Sequence, residues 1–271
     1  MGSIKDLRNL ARNIRVNSLR MVHRARASHI ASALSIVDIL AVLYGRVMNI
    51  SPGLINSEAR DRFILSKGHA CVALYSTLAE MNIIAKDELE TYGQDFSWLM
   101  NHVSHKVPGV EFSTGALGHG LPFGVGKSLA AKASNEAWRV FVLLSDGEMD
   151  EGSNWEGLMF AAHHRLDNLT AILDYNKLQS LDTIASTLGL EPLRAKLESF
   201  GWLVKEIDGH NYDEIYEALT FKSIDKPLFI IAHTLKGKGI SFMENKVEWH
   251  YKNPNDEQLA LALTELGEEN A

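Results

Sequence analysis

The chain has 271 residues, 46% of them hydrophobic and 23% charged, with a formal net charge of -7. That length suffices to bury a core, and the acidic balance argues against a protein that tracks a nucleic-acid backbone. The single cysteine, Cys71, excludes an intrachain disulfide and suits a reducing cytoplasm, and no uninterrupted apolar run reaches the ~18 residues of a membrane span.

In chain order, residues 4–50 read as helices ending near Asn49. Ile4, Leu7, Leu10 and Ile14, then Leu19, Met21 and Val22, recur at roughly helical spacing. The arginine-rich start therefore reads as an amphipathic helix of the folded domain rather than a transit peptide. Ser51-Pro52-Gly53 is a break. Strand-like runs follow at 62–65, 139–144, 170–175, 203–207 and 228–232, several apolar on consecutive residues, as strands covered on both faces are. Helical patterns occupy 120–133, 154–164, 190–198 and 212–221, and a last one, 256–266, follows Asn253-Pro254-Asn255. The alternation predicts an α/β fold, a parallel sheet with helices on both faces. We read it as one domain, 1–271, with an N-terminal helical segment to about 58 and a C-terminal helix over about 255–268. Ligands of such sheets sit beyond the carboxyl ends of the strands.

Asp146 stands just past one strand-like run and Asn176 just past the next, thirty residues apart. One right-handed strand–helix–strand unit of that length returns both to the same sheet edge. A carboxylate and an amide oxygen there suit Mg2+, which takes oxygen ligands and commonly only one or two carboxylates. Gly147 leaves room for backbone to approach a phosphate, and the following helix offers free N–H groups. Asp-Gly alone, or Asn after a strand, is an ordinary turn; the pair at this spacing, joined by Glu151-Gly152 and a helix, is more specific.

The run Asp146-Gly-Glu-Met-Asp-Glu-Gly-Ser-Asn-Trp-Glu156, then Leu166-Asp-Asn-Leu169 and Asp174-Tyr-Asn-Lys177, resembles the thiamine-diphosphate motif of transketolases. Asp61-Arg-Phe-Ile-Leu-Ser-Lys-Gly-His69, Pro108-Gly-Val-Glu-Phe-Ser-Thr-Gly-Ala-Leu-Gly-His-Gly120, Lys236-Gly-Lys-Gly239 and Glu248-Trp-His250 extend the resemblance over nearly the whole chain. It implies the thiamine-diphosphate-binding fold, specifically the domain that holds the diphosphate (the PP domain). It implies Asp146, Asn176 and the Leu178 carbonyl as ligands of Mg2+, with Ca2+ or Mn2+ as substitutes. His69, Gly115, Ala116, Leu117, Gly147, Glu148, Asn176 and His250 fall at the cofactor, and His29, His69, His102 and His250 around the reacting sugar. Glu151 and Glu156 match acidic residues that link paired active sites across an interface between protomers. Histidine suits proton movement near neutral pH, while the cofactor stabilises the carbanion.

A lone histidine is more often structural, and that reading holds for His23, His163, His164, His210 and His233; His105 and His119 stay open. The chain departs from the family at Ser28-His29-Ile30 and Asn101-His102-Val103, where Gly-His-Pro is usual, at Ser145, and at Tyr251, where Gly is usual. The glutamate that activates the aminopyrimidine belongs to a second domain, and the chain ends at Ala271. The resemblance thus implies the N-terminal subunit of a split, two-chain transketolase. It would act on sugar phosphates as an α2β2 heterotetramer with a C-terminal transketolase subunit that carries the pyrimidine domain. The alternative is a specialised carboligase or one half of an oxo-acid-type thiamine enzyme. A P-loop at 120–128 has one residue too many before Gly126-Lys127-Ser128.

Overall fold

In the computed structural model, which describes residues 4–268, five parallel strands form one sheet in the order β1-β2-β3-β5-β4. The strands are β1 (Arg62–Leu65), β2 (Val140–Ser145), β3 (Leu169–Tyr175), β4 (Leu203–Asp208) and β5 (Leu228–His233). Each falls within a residue or two of the apolar run that announced it. The central three are buried along almost their whole length, which is why their sequences show no alternation.

Successive strand residues feed two separate cores. Phe141, Leu143, Ile172, Leu228 and Ile230 face one side. There they meet α1 (Ile4–Ala25), α2 (Ile30–Leu34), α3 (Val37–Val42), α4 (Cys71–Glu80) and α9 (Tyr212–Thr220). Val140, Val142, Leu144, Leu173, Phe229 and Ile231 face the other. There they meet α5 (Gly120–Ala133), α6 (Gly152–His163) and α8 (Leu193–Ser199). Each fully buried Leu, Ile or Phe contributes roughly 1.5–3 kcal/mol of transfer free energy, so the two faces together hold the sheet. On α5 the approach is so close that a Cβ on Gly124 would stand 2.4 Å from Val142. No helix among the described residues is long and apolar enough to cross a membrane.

α1 is the amphipathic helix expected, burying Leu7, Ala11, Ile14, Leu19 and Val22. The expected N-terminal segment starts at residue 1, and residues 1–3 lie outside the described residues. α4 was not anticipated. Cys71 through Ala79 are all buried, so the helix has no polar face and its sequence no period. The helix expected at 190 begins at Leu193 instead, where the Glu191 carboxylate accepts the Leu193 N–H at 2.9 Å. The short α7 (Ile184–Thr187) was also unannounced; α10 (Asp256–Glu265) was expected, and starts with a capping box between Asn255 and Gln258.

Because the chain runs β3, then the edge strand β4, then back to β5, the carboxyl ends of β1, β2, β3 and β5 lie side by side. In register, Ser145 is beside Asp174, and Asp174 beside Ala232. Lys67, Asp146, Asn176 and Lys236 follow these four ends, while His29 precedes α2 and His102, Gly115 and Leu117 come from the segment between α4 and α5.

Candidate active site

The floor of the site is a fully buried carboxylate. Asp174, at the end of β3, accepts hydrogen bonds from Ser35 Oγ (2.7 Å), Asn176 Nδ2 (3.0 Å), Lys67 Nζ and Thr234 Oγ1. Burial works to raise its pKa, but the Lys67 ammonium and these bonds outweigh burial and hold the carboxyl below its usual range. Lys67 is itself buried and also donates to the Ser32 carbonyl at 3.0 Å.

Above this floor lies a cavity of about 280 Å³. At one end Asp146 accepts the N–H of Gly147 (2.8 Å) and of Lys177 (2.6 Å). Burial first, and the Asp174 charge second, push the Asp146 carboxyl up to about 7. Asn176 Oδ1 accepts the Leu178 N–H at 3.1 Å, and the Leu178 carbonyl faces the buried Lys236 ammonium at 3.0 Å. One buried carboxylate short of counter-charge, one amide oxygen and one carbonyl form a hard-oxygen donor set that fits Mg2+. Among the described residues no group of three or more His, Cys, Asp or Glu could hold a metal ion.

At the other end four imidazoles converge. Ring centroids lie 4.8 Å apart for His29 and His250, 5.1 Å for His29 and His69, and 6.1 Å for His29 and His102. Lys236 Nζ lies 3.0 Å from His250 Nδ1. As an ammonium it can only donate, so His250 carries its hydrogen on Nε2. Nδ1 of His29 is buried without a hydrogen-bond partner. The backbone at His29 is left-handed (φ 72°), and its N–H donates to the His250 carbonyl at 2.8 Å.

Burial, then neighbouring positive charge, depresses these histidines: His29 to about 4, His250 to about 3, and His69 well below its usual value. All three are neutral at pH 7. As pH falls from about 6.5 toward 4, the unfolded chain takes up protons that folded His29 refuses, so these groups favour unfolding progressively over that interval. In an NMR titration of the chain the His29 and His250 ring signals should stay those of neutral imidazole from pH 8 to 5. Midpoints near 6.5 would contradict the geometry.

The cavity brings together His29, His69, His102, His250, Gly115, Leu117, Asp146, Gly147, Asn176 and Leu178. Gly115 (φ 150°) sits against His102, where a Cβ would come within 2.9 Å of the ring. Ala116 is exposed and does not line the cavity. Glu148, expected at the cofactor, is completely buried beneath it. Its carboxylate accepts Ser66 Oγ (2.5 Å), the Gly118 N–H (2.9 Å) and the Ser145 N–H (3.3 Å), which ties the β1 and β2 ends to the 115–118 loop. Glu151 stands at the N-terminal boundary of α6 without a side-chain capping bond, and Glu156 lies on the exposed face of α6, in a separate groove with His119, Pro122, Val125 and Phe160. His23, His210 and His233 pair with Asp256, Asp38 and Glu206. His105 bonds Ser113, and His163 packs on His164. Sequence reasoning missed Ser32, Lys67 and Lys236; the positions of Lys67 and Lys236 just past the ends of β1 and β5 were the available signal, whereas Ser32 lies within α2 and offered none.

The chain matches the family described as "Transketolase, thiamine diphosphate binding domain" over residues 7–271. It is 41% identical over 254 residues to an apulose-4-phosphate transketolase subunit from Phocaeicola vulgatus, covering 92% of this chain and 90% of that one. It is 47% identical over 244 residues to the protein of the same name from Actinobacillus succinogenes, covering 89% and 88%. Among solved structures, transketolase from Campylobacter jejuni superposes with a TM-score of 0.90 at 30% identity, covering 98% of this chain but 43% of that one. The chain thus spans about two-fifths of that transketolase and nearly all of the two apulose-4-phosphate transketolase subunits.

Proposed function

We propose, for a chain that belongs to the transketolase family through its thiamine-diphosphate-binding domain, that it is the diphosphate-and-metal half of a two-chain transketolase. Assembled as α2β2 in the cytoplasm with a second polypeptide that carries the pyrimidine domain, it transfers a two-carbon ketol unit from a ketose phosphate to an aldose. The observation that carries this reading is the cavity at the ends of β1, β2, β3 and β5, where an Mg2+-type oxygen set and four imidazoles share one space. The two bacterial relatives are named as subunits of an enzyme for a sugar phosphate, which supports both a partner and a substrate of that class.

Thiamine diphosphate, when bound, would supply the electron-poor thiazolium ring that stabilises a carbanion. The residues of this chain do the rest. Asp146, Asn176 and the Leu178 carbonyl would hold Mg2+, for which Ca2+ or Mn2+ would substitute. Gly147 would admit the diphosphate close to the backbone, and His69 and the Nε2–H of His250 would donate toward its oxygens or those of the sugar. Leu117 and Gly115, which line the cavity, would pack against the cofactor. His29, neutral and with Nδ1 unbonded, and the exposed His102 accept and return protons at sugar hydroxyls. Glu151 and Glu156 line the α5–α6 face, whose exposed Met159 and Phe160 suit contact with a second copy of the chain.

The test is reconstitution. The purified chain with Mg2+ and cofactor should show no ketol transfer, and adding the pyrimidine-domain polypeptide should restore it. Robust turnover by the chain alone would overturn the two-chain reading. Turnover of pyruvate, with none of xylulose 5-phosphate or fructose 6-phosphate, would overturn ketol transfer.

A further inference from the structure

The cavity is graded from a buried base to an open rim, and the gradient ends on one side chain. Outward from the Leu178 carbonyl come the Lys236 ammonium, 1% exposed, then the half-buried His250 ring, then the ring of Tyr251, 56% exposed. The Tyr251 ring stands edge-on to His250 at 4.7 Å and tilted 6.0 Å from His29. Among the described residues it is the only phenol ring lining the cavity. Its hydroxyl has no hydrogen-bond partner among the described residues.

This ring cannot withdraw far. The Tyr251 carbonyl accepts Ser28 Oγ at 3.1 Å, and its N–H reaches the Glu248 carbonyl at 3.4 Å. One residue along, the His29 N–H binds the His250 carbonyl at 2.8 Å. The segments carrying His29 and Tyr251 are therefore stitched together, and only side-chain rotation is left to the ring.

At the opposite end lie the two loops after β2 and β3, with Asp146, Asn176 and Leu178, so a ketose whose first two carbons lie among the imidazoles must lead the rest of its chain out past the rim. Whatever passes there meets the flat face and edge of a phenol held beside His29 and His250. We propose that Tyr251 is a specificity-determining residue for the ketose donor: its ring forms a wall that disfavours long carbon chains beyond the two transferred carbons and favours short ones. The proposal rests on the ketol-transfer reading. It concerns a ring that touches the substrate's distal carbons and leaves the proton-moving groups unchanged. A wall of this kind discriminates by the space it fills. The scale for a methylene-sized difference in a pocket is about 10- to 200-fold in kcat/KM.

The experiment uses the assembled two-chain enzyme with xylulose 5-phosphate, fructose 6-phosphate and sedoheptulose 7-phosphate as donors. Tyr251→Gly should raise the ratio of kcat/KM for the seven-carbon over the five-carbon donor by about tenfold. The change should appear mainly in KM, with the Kd for thiamine diphosphate unaltered. Tyr251→Phe should keep the parent's ratio, and Tyr251→Trp should move it the other way. An unchanged ratio in both Tyr251→Gly and Tyr251→Trp, with parental cofactor affinity, overturns the proposal. So does a Tyr251→Phe enzyme that behaves like Tyr251→Gly, because the hydroxyl and not the wall would then decide. If the unsubstituted enzyme transfers ketol from none of the three donors, the functional reading falls and this proposal with it. Transfer with an indifferent Tyr251 sinks the proposal alone.

Discussion

Asp146→Ala is expected to remove Mg2+-dependent binding of thiamine diphosphate, weakening it roughly 100-fold or more. Outer-shell partners of metal ligands cost about 10- to 100-fold when removed, and a direct carboxylate ligand should cost no less. Asp146 is the only carboxylate of the proposed donor set, so no neighbour can replace its charge; Asp174 is already engaged by four donors. Asp146→Asn makes the experiment decisive. It keeps an oxygen for the Lys177 N–H, which Asp146 accepts at 2.6 Å, and removes the charge at the loss of the second acceptor, which serves the Gly147 N–H at 2.8 Å. Both variants should remain folded by circular dichroism and both should lose the calorimetric binding signal in the reconstituted enzyme. Undiminished cofactor affinity in either variant would remove Asp146 from the metal site.

Lys67→Met should be the most damaging change to stability. The substitution leaves Asp174 charged, fully buried and without its ammonium, and breaking a buried pair on one side typically costs about 3–5 kcal/mol. Against a typical domain stability of about 5–15 kcal/mol, that is a large share. Urea unfolding should show a much lower midpoint at an unchanged m-value. Adding Asp174→Asn to Lys67→Met removes the stranded charge and should recover a good part of the loss, as expected for two groups in direct contact. If Lys67→Met unfolds at nearly the parent's midpoint, the pair is not what holds the strand ends together.

The sheet was readable because its strands are covered on both sides. Runs such as Val140–Ser145 and Leu228–His233 are apolar without alternation and bracketed by helical patterns. Asp146 and Asn176 were readable from spacing alone, since one crossover unit fixes where both must emerge. Three kinds of feature were hidden. α4 is buried all round, its Ser76 and Thr77 included, so it offered no period. Lys67 and Lys236 are each 1% exposed, and a lysine in a sequence is ordinarily read as surface. Glu148 follows Gly147 in the motif and was grouped with the cofactor, yet the tight turn at Gly147–Asp150 points it down onto Ser66. Sequence adjacency fixes neither the side of a turn nor the partner waiting below it.

The Asp174 carboxylate gathers Ser35, Lys67, Asn176 and Thr234, side chains that come from four separated stretches of chain. Proteins commonly let the loops of a binding site open on their own while the scaffold stays shut, because those loops carry few buried contacts. That freedom is largely denied here, because the loops leaving β1, β3 and β5 share one ionic knot under the cavity floor. To swing the Lys67 segment away is to strand a buried charge, at a cost of about 3–5 kcal/mol, and to move the others is to strip that charge of its hydrogen bonds. Amide hydrogens at the roots of these loops therefore belong to the same cooperative unit as the central strands, and should exchange with solvent through the same rare opening rather than through a local one.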